Sequence, residues 1–112
     1  MGAIDSETER AIRLFLERIA TRFPVAGARL YGSRARATHS DDSDADVAVF
    51  LKGPRGSTID VGIDMAAIAF DVLLDTRLLI SPLPIWEEDW DHPEDYSNPR
   101  LLENIRREGV AL

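Results

Sequence analysis

Asp44 and Asp46 stand at the mouth of the apolar run VAVFL, and the pair Gly32-Ser33 closes the apolar run ARLY. A carboxylate brought toward a core needs a partner, because an unpaired buried charge is too costly to keep. In an extended chain residues two apart point the same way, so the aspartates project two carboxylates to one side, about 6 to 7 Å apart along the backbone. Such a pair can hold one or two divalent cations. Magnesium fits it, since that ion takes hard oxygen ligands and commonly combines one or two carboxylates with substrate phosphates. Upstream, Gly32 lets the backbone come close to a ligand. Ser33 offers a hydroxyl and an amide at the start of the segment RARA, where a helix N-terminus would attract phosphate. Arg34 and Arg36 either contact phosphate, which suits guanidinium geometry, or neutralise the neighbouring aspartates. Together these residues point to nucleoside triphosphate chemistry.

The elements that must position these groups follow from periodicity. Ser6 with Glu9 reads as a capping box, and Ile12, Phe15, Leu16 and Ile19 recur at helical spacing, which predicts a helix over 6–22. Pro24 and Gly27 break it, and ARLYG reads as a short strand running into Gly32. DVAVFLK is a second strand, apolar enough to be buried on both faces, ended by the turn GPRGS. A second helix fits 58–76, capped by Ser57 or Thr58. Its residues Ile59, Ile63, Ala66, Ala67, Phe70 and Leu74 fall on one face, as an apolar stripe turned to a core would. RLLISPLPIW is a third strand whose prolines predict an edge or an early end to pairing. Asn98, Pro99 and Gly109 bracket a last helix, with Leu101, Leu102 and Ile105 on its inner face. The order is α-β-(short α)-β-α-β-α, which implies an α/β or α+β class with a small mixed sheet and helices packed on it.

Bulk properties exclude other classes. The 112 residues fit one domain over 1–112, and 45% hydrophobic with 29% charged residues is the balance of a soluble globular chain. No apolar run reaches the roughly 18 residues a membrane span needs, and the acidic start (Asp5, Glu7, Glu9) is unlike a signal peptide, so a cytoplasmic location is expected. Without cysteine there are no disulfides, zinc thiolates or thiol nucleophiles. A formal charge of −7 argues against nucleic acid as a partner and for a basic protein or metal-bridged phosphate.

The same residues admit other readings. Acidic clusters such as DDSDAD are commonly solvated loops, but this one follows a Gly-Ser pair and is flanked by strands. A calcium loop starting at Asp42 would have oxygen donors at its positions 1, 3 and 5, yet it fails with Val47 at position 6 and Gly53 at position 12. His39 reads as an exposed loop residue and His92, before Pro93, as a turn residue. Trp86 and Trp90, four apart, either pack together over the core or join the last helix in an apolar patch for a partner.

Gly32, Ser33, ten intervening positions and then Asp44-Ala45-Asp46 match the GS-x10-DxD pattern. In that pattern the chain resembles the DNA polymerase beta-like nucleotidyltransferases, and in length their minimal members, which act as antitoxins beside HEPN-domain toxins. The element order fits along nearly the whole chain, and the tight motif covers 32–49. The resemblance implies a polymerase beta-like fold in which Gly32, Ser33 and Arg34 bind nucleotide and Asp44 and Asp46 bind Mg2+. AMP would pass from ATP to an acceptor hydroxyl, which in the antitoxin members is a tyrosine of the HEPN-type toxin. One departure concerns the third carboxylate that the family draws from its next core strand. The matching position in LLISPLPIW is Ser81, with Asp75, Glu87 and Glu88 as candidate substitutes. The alternative is a catalytically degenerate binding module that neutralises or scaffolds a partner by contact alone.

Overall fold

A computed structural model describes residues 4–36, 38 and 43–112. Helix α1 (Ser6–Ala20) is capped by Asp5, whose carboxylate accepts from the Thr8 amide at 2.8 Å, so the cap lies one residue before the expected Ser6 and the helix ends two residues before 22. Glu7 and Glu9 in its first turn complement the helix dipole. Strand β1 (Val25–Tyr31) leads to Gly32, and strand β2 (Ala45–Leu51) begins directly after Asp44. The expected short helix between them is a turn among the described residues, held by the amides of Ala35 and Arg36 donating to Gly32 O at 3.1 and 3.2 Å. Helix α2 (Thr58–Thr76) is capped by Ser57, whose hydroxyl accepts from Asp60 N. Strand β3 (Ile80–Trp86) runs into the short helix α3 (Glu87–Asp91) and a 3-10 turn at Pro93–Asp95. Helix α4 (Pro99–Glu108) starts on the Asn98 cap and stops at Gly109, as the sequence predicts. A two-residue strand β4 (Val110–Ala111) then pairs with β1 and is too short to register in the sequence pattern.

The four strands form one sheet in the order β3-β2-β1-β4. β2 is antiparallel to β1 and parallel to β3, with α2 supplying the long crossover that a parallel pair requires. β3 is an edge strand, in line with Pro82 and Pro84. Ala45, Val47, Val49 and Leu51 of β2 pack into a core with Phe15 and Ile19 of α1 and Met65, Ile68 and Val72 of α2. On the other face Ala48 and Phe50 meet Ile85 and the α4 residues Leu102 and Ile105. β2 is thus covered on both faces beyond its first residues. Among the described residues no helix is long and apolar enough to cross a membrane.

Two further expectations are overturned. The stripe of Ile59, Ile63, Phe70 and Leu74 points away from the core, at 75%, 63%, 55% and 67% exposure, and Ala66 and Ala67 are exposed with it. The buried face of α2 is Met65, Ile68, Ala69 and Val72. Apolar residues occupy both sides of this helix, so periodicity alone chose the wrong one. Trp86 and Trp90 do not pack together either. Trp86 ends a strand and is buried in the α1–α2 core, whereas Trp90 sits on α3 against Phe50 on the opposite side of the sheet, ring centroids 4.6 Å apart. Arg106 covers the Trp90 ring at 4.0 Å, so the tryptophans and α4 do not form the exposed apolar patch.

The assignment of the two faces of α2 is testable by denaturant unfolding. Met65→Ala should cost about 2–5 kcal/mol as a core truncation, while Phe70→Ala on the outer face should stay within about 0.5 kcal/mol of wild type. The reverse ranking would mean that the helix is turned the other way.

Candidate active site

The acid pair lies at the end of the sheet where β1 finishes and both β2 and β3 begin. Asp46 is opposite Tyr31 of β1 in the antiparallel register and beside Ser81 of β3 in the parallel one. Tyr31, Leu83 and Ile85 join Ala48 and Phe50 in the α4-side core, so strand alternation puts Asp46 and Ser81 on that same face. Asp44 precedes the strand and is exposed, close enough to Asp46 for its charge to be felt there.

Gly32 abuts the Asp46 carboxylate. Its φ is 76°, a left-handed conformation that side chains rarely adopt, and a Cβ built on it would collide with Oδ2 of Asp46 and lie 3.3 Å from Cγ. Two independent demands therefore fix glycine at this position. Ser33 follows directly and is partly exposed, with its carbonyl accepting from Thr38 N at 3.0 Å. The turn that begins at Gly32 therefore lies against Asp46.

The two arginines separate. Arg34 is 6% exposed; its Nε donates to Ser43 O and its Nη1 to Thr8 Oγ1, both at 2.8 Å, with Asp5 Oδ2 3.7 Å away. It ties the turn after Gly32 to the backbone entering Asp44 and to the start of α1. Arg36 is half-exposed, pairs with Glu108 at 3.2 Å, and is the charge that draws the Asp46 pKa back down. It is the arginine that faces the acid pair.

Burial, together with repulsion from Asp44, raises the Asp46 pKa against that lowering by Arg36. Burial and the nearby Asp46 charge also push the Tyr31 hydroxyl up to about 12. The end of the sheet is thus an electronegative ledge that favours a cation. Asp44, Asp46 and the Ser81 hydroxyl are hard donors that fit magnesium in part. Among the described residues no group of three His, Cys, Asp or Glu could hold an ion alone, so phosphate oxygens would have to complete the shell.

The candidate substitutes for the third carboxylate are elsewhere. Glu87 and Glu88 follow Trp86, five register positions and about 17 Å along β3 from Ser81. Asp75 pairs with Arg18 of α1. His92 is exposed beside Glu94, and His39 and Asp42 lie outside the described residues. Two concavities elsewhere on the molecule do not include Asp44 or Asp46. One of about 780 Å³ is lined by the start of α1, Arg34 and Arg77, and one of about 480 Å³ by Arg55, Glu87 and Glu88 at the far end of the sheet. Volume is outweighed here by chemistry, because neither joins a carboxylate pair to a phosphate-sized turn.

The family model described as "Nucleotidyltransferase domain" matches residues 12–106, which contain the whole sheet except β4. The chain belongs to this nucleotidyltransferase family. No curated protein matches it in sequence. A crystal structure from Sulfolobus solfataricus, provisionally described as a nucleotidyltransferase, superposes with a TM-score of 0.54 over 99% of this chain and 89% of that one at 24% identity, a likeness that speaks for the fold. Nucleotidyl transfer is the chemistry of the family, and the nucleotidyltransferase fold is the architecture described above.

A stability signature follows from the charge at Asp46. Its folded-state pKa is raised, so it favours the fold while protonated, at and below the ordinary carboxylate range, and this contribution is lost as pH rises through the raised value. In chelator-containing buffer Asp46→Asn should therefore melt above wild type at pH 7, with the gap closing on acidification. An equal or lower melting temperature for the variant at pH 7 would contradict the cost of holding Asp46 charged in its half-buried place beside Asp44.

Proposed function

We propose that this chain transfers AMP from ATP to a hydroxyl of a protein acceptor, with Asp44 and Asp46 as the ligands of Mg2+ and Gly32-Ser33 as the seat of the triphosphate. The observation that carries the reading is the contact of Gly32 with the Asp46 carboxylate, which puts a phosphate-sized turn and an acid pair at one end of the sheet. Magnesium held there would neutralise phosphate charge and orient the α-phosphate. The Ser33 hydroxyl and amide would hold the phosphate oxygens while Arg34 keeps the loop closed onto Ser43. Arg36, released from Glu108, would add a cation on the open side. The acceptor oxygen bonds to the α-phosphorus, the bond to the β-phosphate oxygen breaks, and pyrophosphate leaves. The acceptor's proton passes to water, because Ser81 provides no base.

The acceptor is read as a tyrosine of a HEPN-type toxin, with this chain acting as its antitoxin in the cytoplasm. The length of the chain and its resemblance to the minimal nucleotidyltransferases support this reading. So does the open setting of Asp44 and Ser81, both exposed among the described residues, which leaves room for a macromolecular acceptor. The second reading, a degenerate fold that silences its partner by contact, is favoured by one observation: the register puts Ser81, a residue without charge, beside Asp46 where the family has its third carboxylate.

Radiolabelled ATP, magnesium and the protein encoded by the adjacent gene separate the two. Asp44→Asn should lower label transfer at least about 100-fold, a barrier increase of about 2.7 kcal/mol. Ser81→Asp should raise transfer and tighten magnesium binding measured by calorimetry in the presence of ATP. If wild type, Asp44→Asn and Ser81→Asp are equally inert while a stable complex forms, the contact reading stands and transfer falls.

A further inference from the structure

The outer face of α2 has no role in the reading of the active site, and its inference goes beyond that reading and stands without it. Ile59, Ile63, Phe70 and Leu74 are each more than half exposed and, with Ala66 and Ala67, run contiguously along one side of a 19-residue helix. Soluble chains leave large apolar residues exposed singly, whereas contiguous ones mark contact surfaces. The residues follow the i, i+4 rows 59-63-67 and 66-70-74, the ridges by which one helix packs on another. Large side chains stand toward the two ends, and Ala66 and Ala67 leave the middle low enough for a crossing backbone.

The border charges select the occupant. Asp60, Asp64, Asp71 and Asp75 line the side of the stripe next to α1. Asp64 and Asp75 face Arg22 and Arg18 of α1, while the exposed Asp60 and Asp71 have no side-chain partner among the described residues. The chain as a whole carries −7. A second copy paired antiparallel about a two-fold axis would lay the aspartate border against itself, which like charges oppose. We propose that the outer face of α2 docks an amphipathic helix of a different protein, whose aliphatic stripe is bordered by lysine or arginine that meets Asp60 and Asp71.

Two synthetic helical peptides with the same leucine stripe, one bordered by lysines and the other by glutamates, test this by fluorescence anisotropy against the full chain. The lysine peptide should bind at least about tenfold more tightly, a difference of about 1.4 kcal/mol. Phe70→Ser should weaken it by a similar factor, and Asp60→Lys with Asp71→Lys should invert the preference. Circular dichroism checks that the variants fold, and AMP transfer, read separately, should be unchanged by Phe70→Ser. The proposal is overturned if neither peptide binds, if both bind equally, or if Phe70→Ser leaves binding intact. It is also overturned if sedimentation shows a self-associated species that Phe70→Ser dissolves, since a second copy would then cover the face.

Discussion

A carboxylate at the start of a strand that is otherwise buried on both sides is the constraint around which this molecule is arranged. Asp46 reaches the open end of the sheet only because Gly32 has no side chain to obstruct it and can hold a left-handed turn beside it. That contact joins β1 to the acid pair at atomic range. The turn must be sharp, the loop after it must return to the same end of the sheet, and the sheet must keep Tyr31, Asp46 and Ser81 abreast. Burial, with repulsion from Asp44 added to it, raises the proton affinity of Asp46, so its charged form is held at a cost that a bound cation can relieve.

Arg34 and Asp5 hold the rest of the molecule to that point. Asp5 caps α1 through Thr8 N and lies beside Arg34, and Arg34 in turn donates to Thr8 and to Ser43. One buried guanidinium thus links the first turn of α1, the turn after Gly32 and the residue before Asp44. Removing it would take a donor from two segments at once, the first turn of α1 at Thr8 and the backbone at Ser43.

Much of this was legible in the sequence because the signals were local. The Asn98-Pro99 start of α4, the Ser57 cap of α2 and the edge position of β3 follow from residues that act on their own backbone. The alternation of β2 sets Asp46 on the face opposite Val47, and Ser81 falls beside Asp46 in the register of the third strand. What was illegible depends on distant contacts. α2 has apolar residues on both sides, and only the packing of α1 and the sheet decides that Met65 and Val72 face inward. Arg34 and Arg36 look alike in sequence, but only the first lies within reach of Thr8 and Ser43. The spacing of Trp86 and Trp90 has helical meaning only if both are in one helix, and the strand ends between them.

The prolines of β3 have a consequence for the company this sheet can keep. Pro82 and Pro84 share one orientation along a strand whose other side is occupied by β2, so the amide hydrogens missing from the ladder are missing at the outer rim. An incoming extended segment would find carbonyls there but no donors at alternate positions, and could not zip on as a fifth strand. The rim is closed to templated growth, both by fibril-like stacking and by exchange of strands between copies. What β3 offers a neighbour along this edge is side chains rather than backbone.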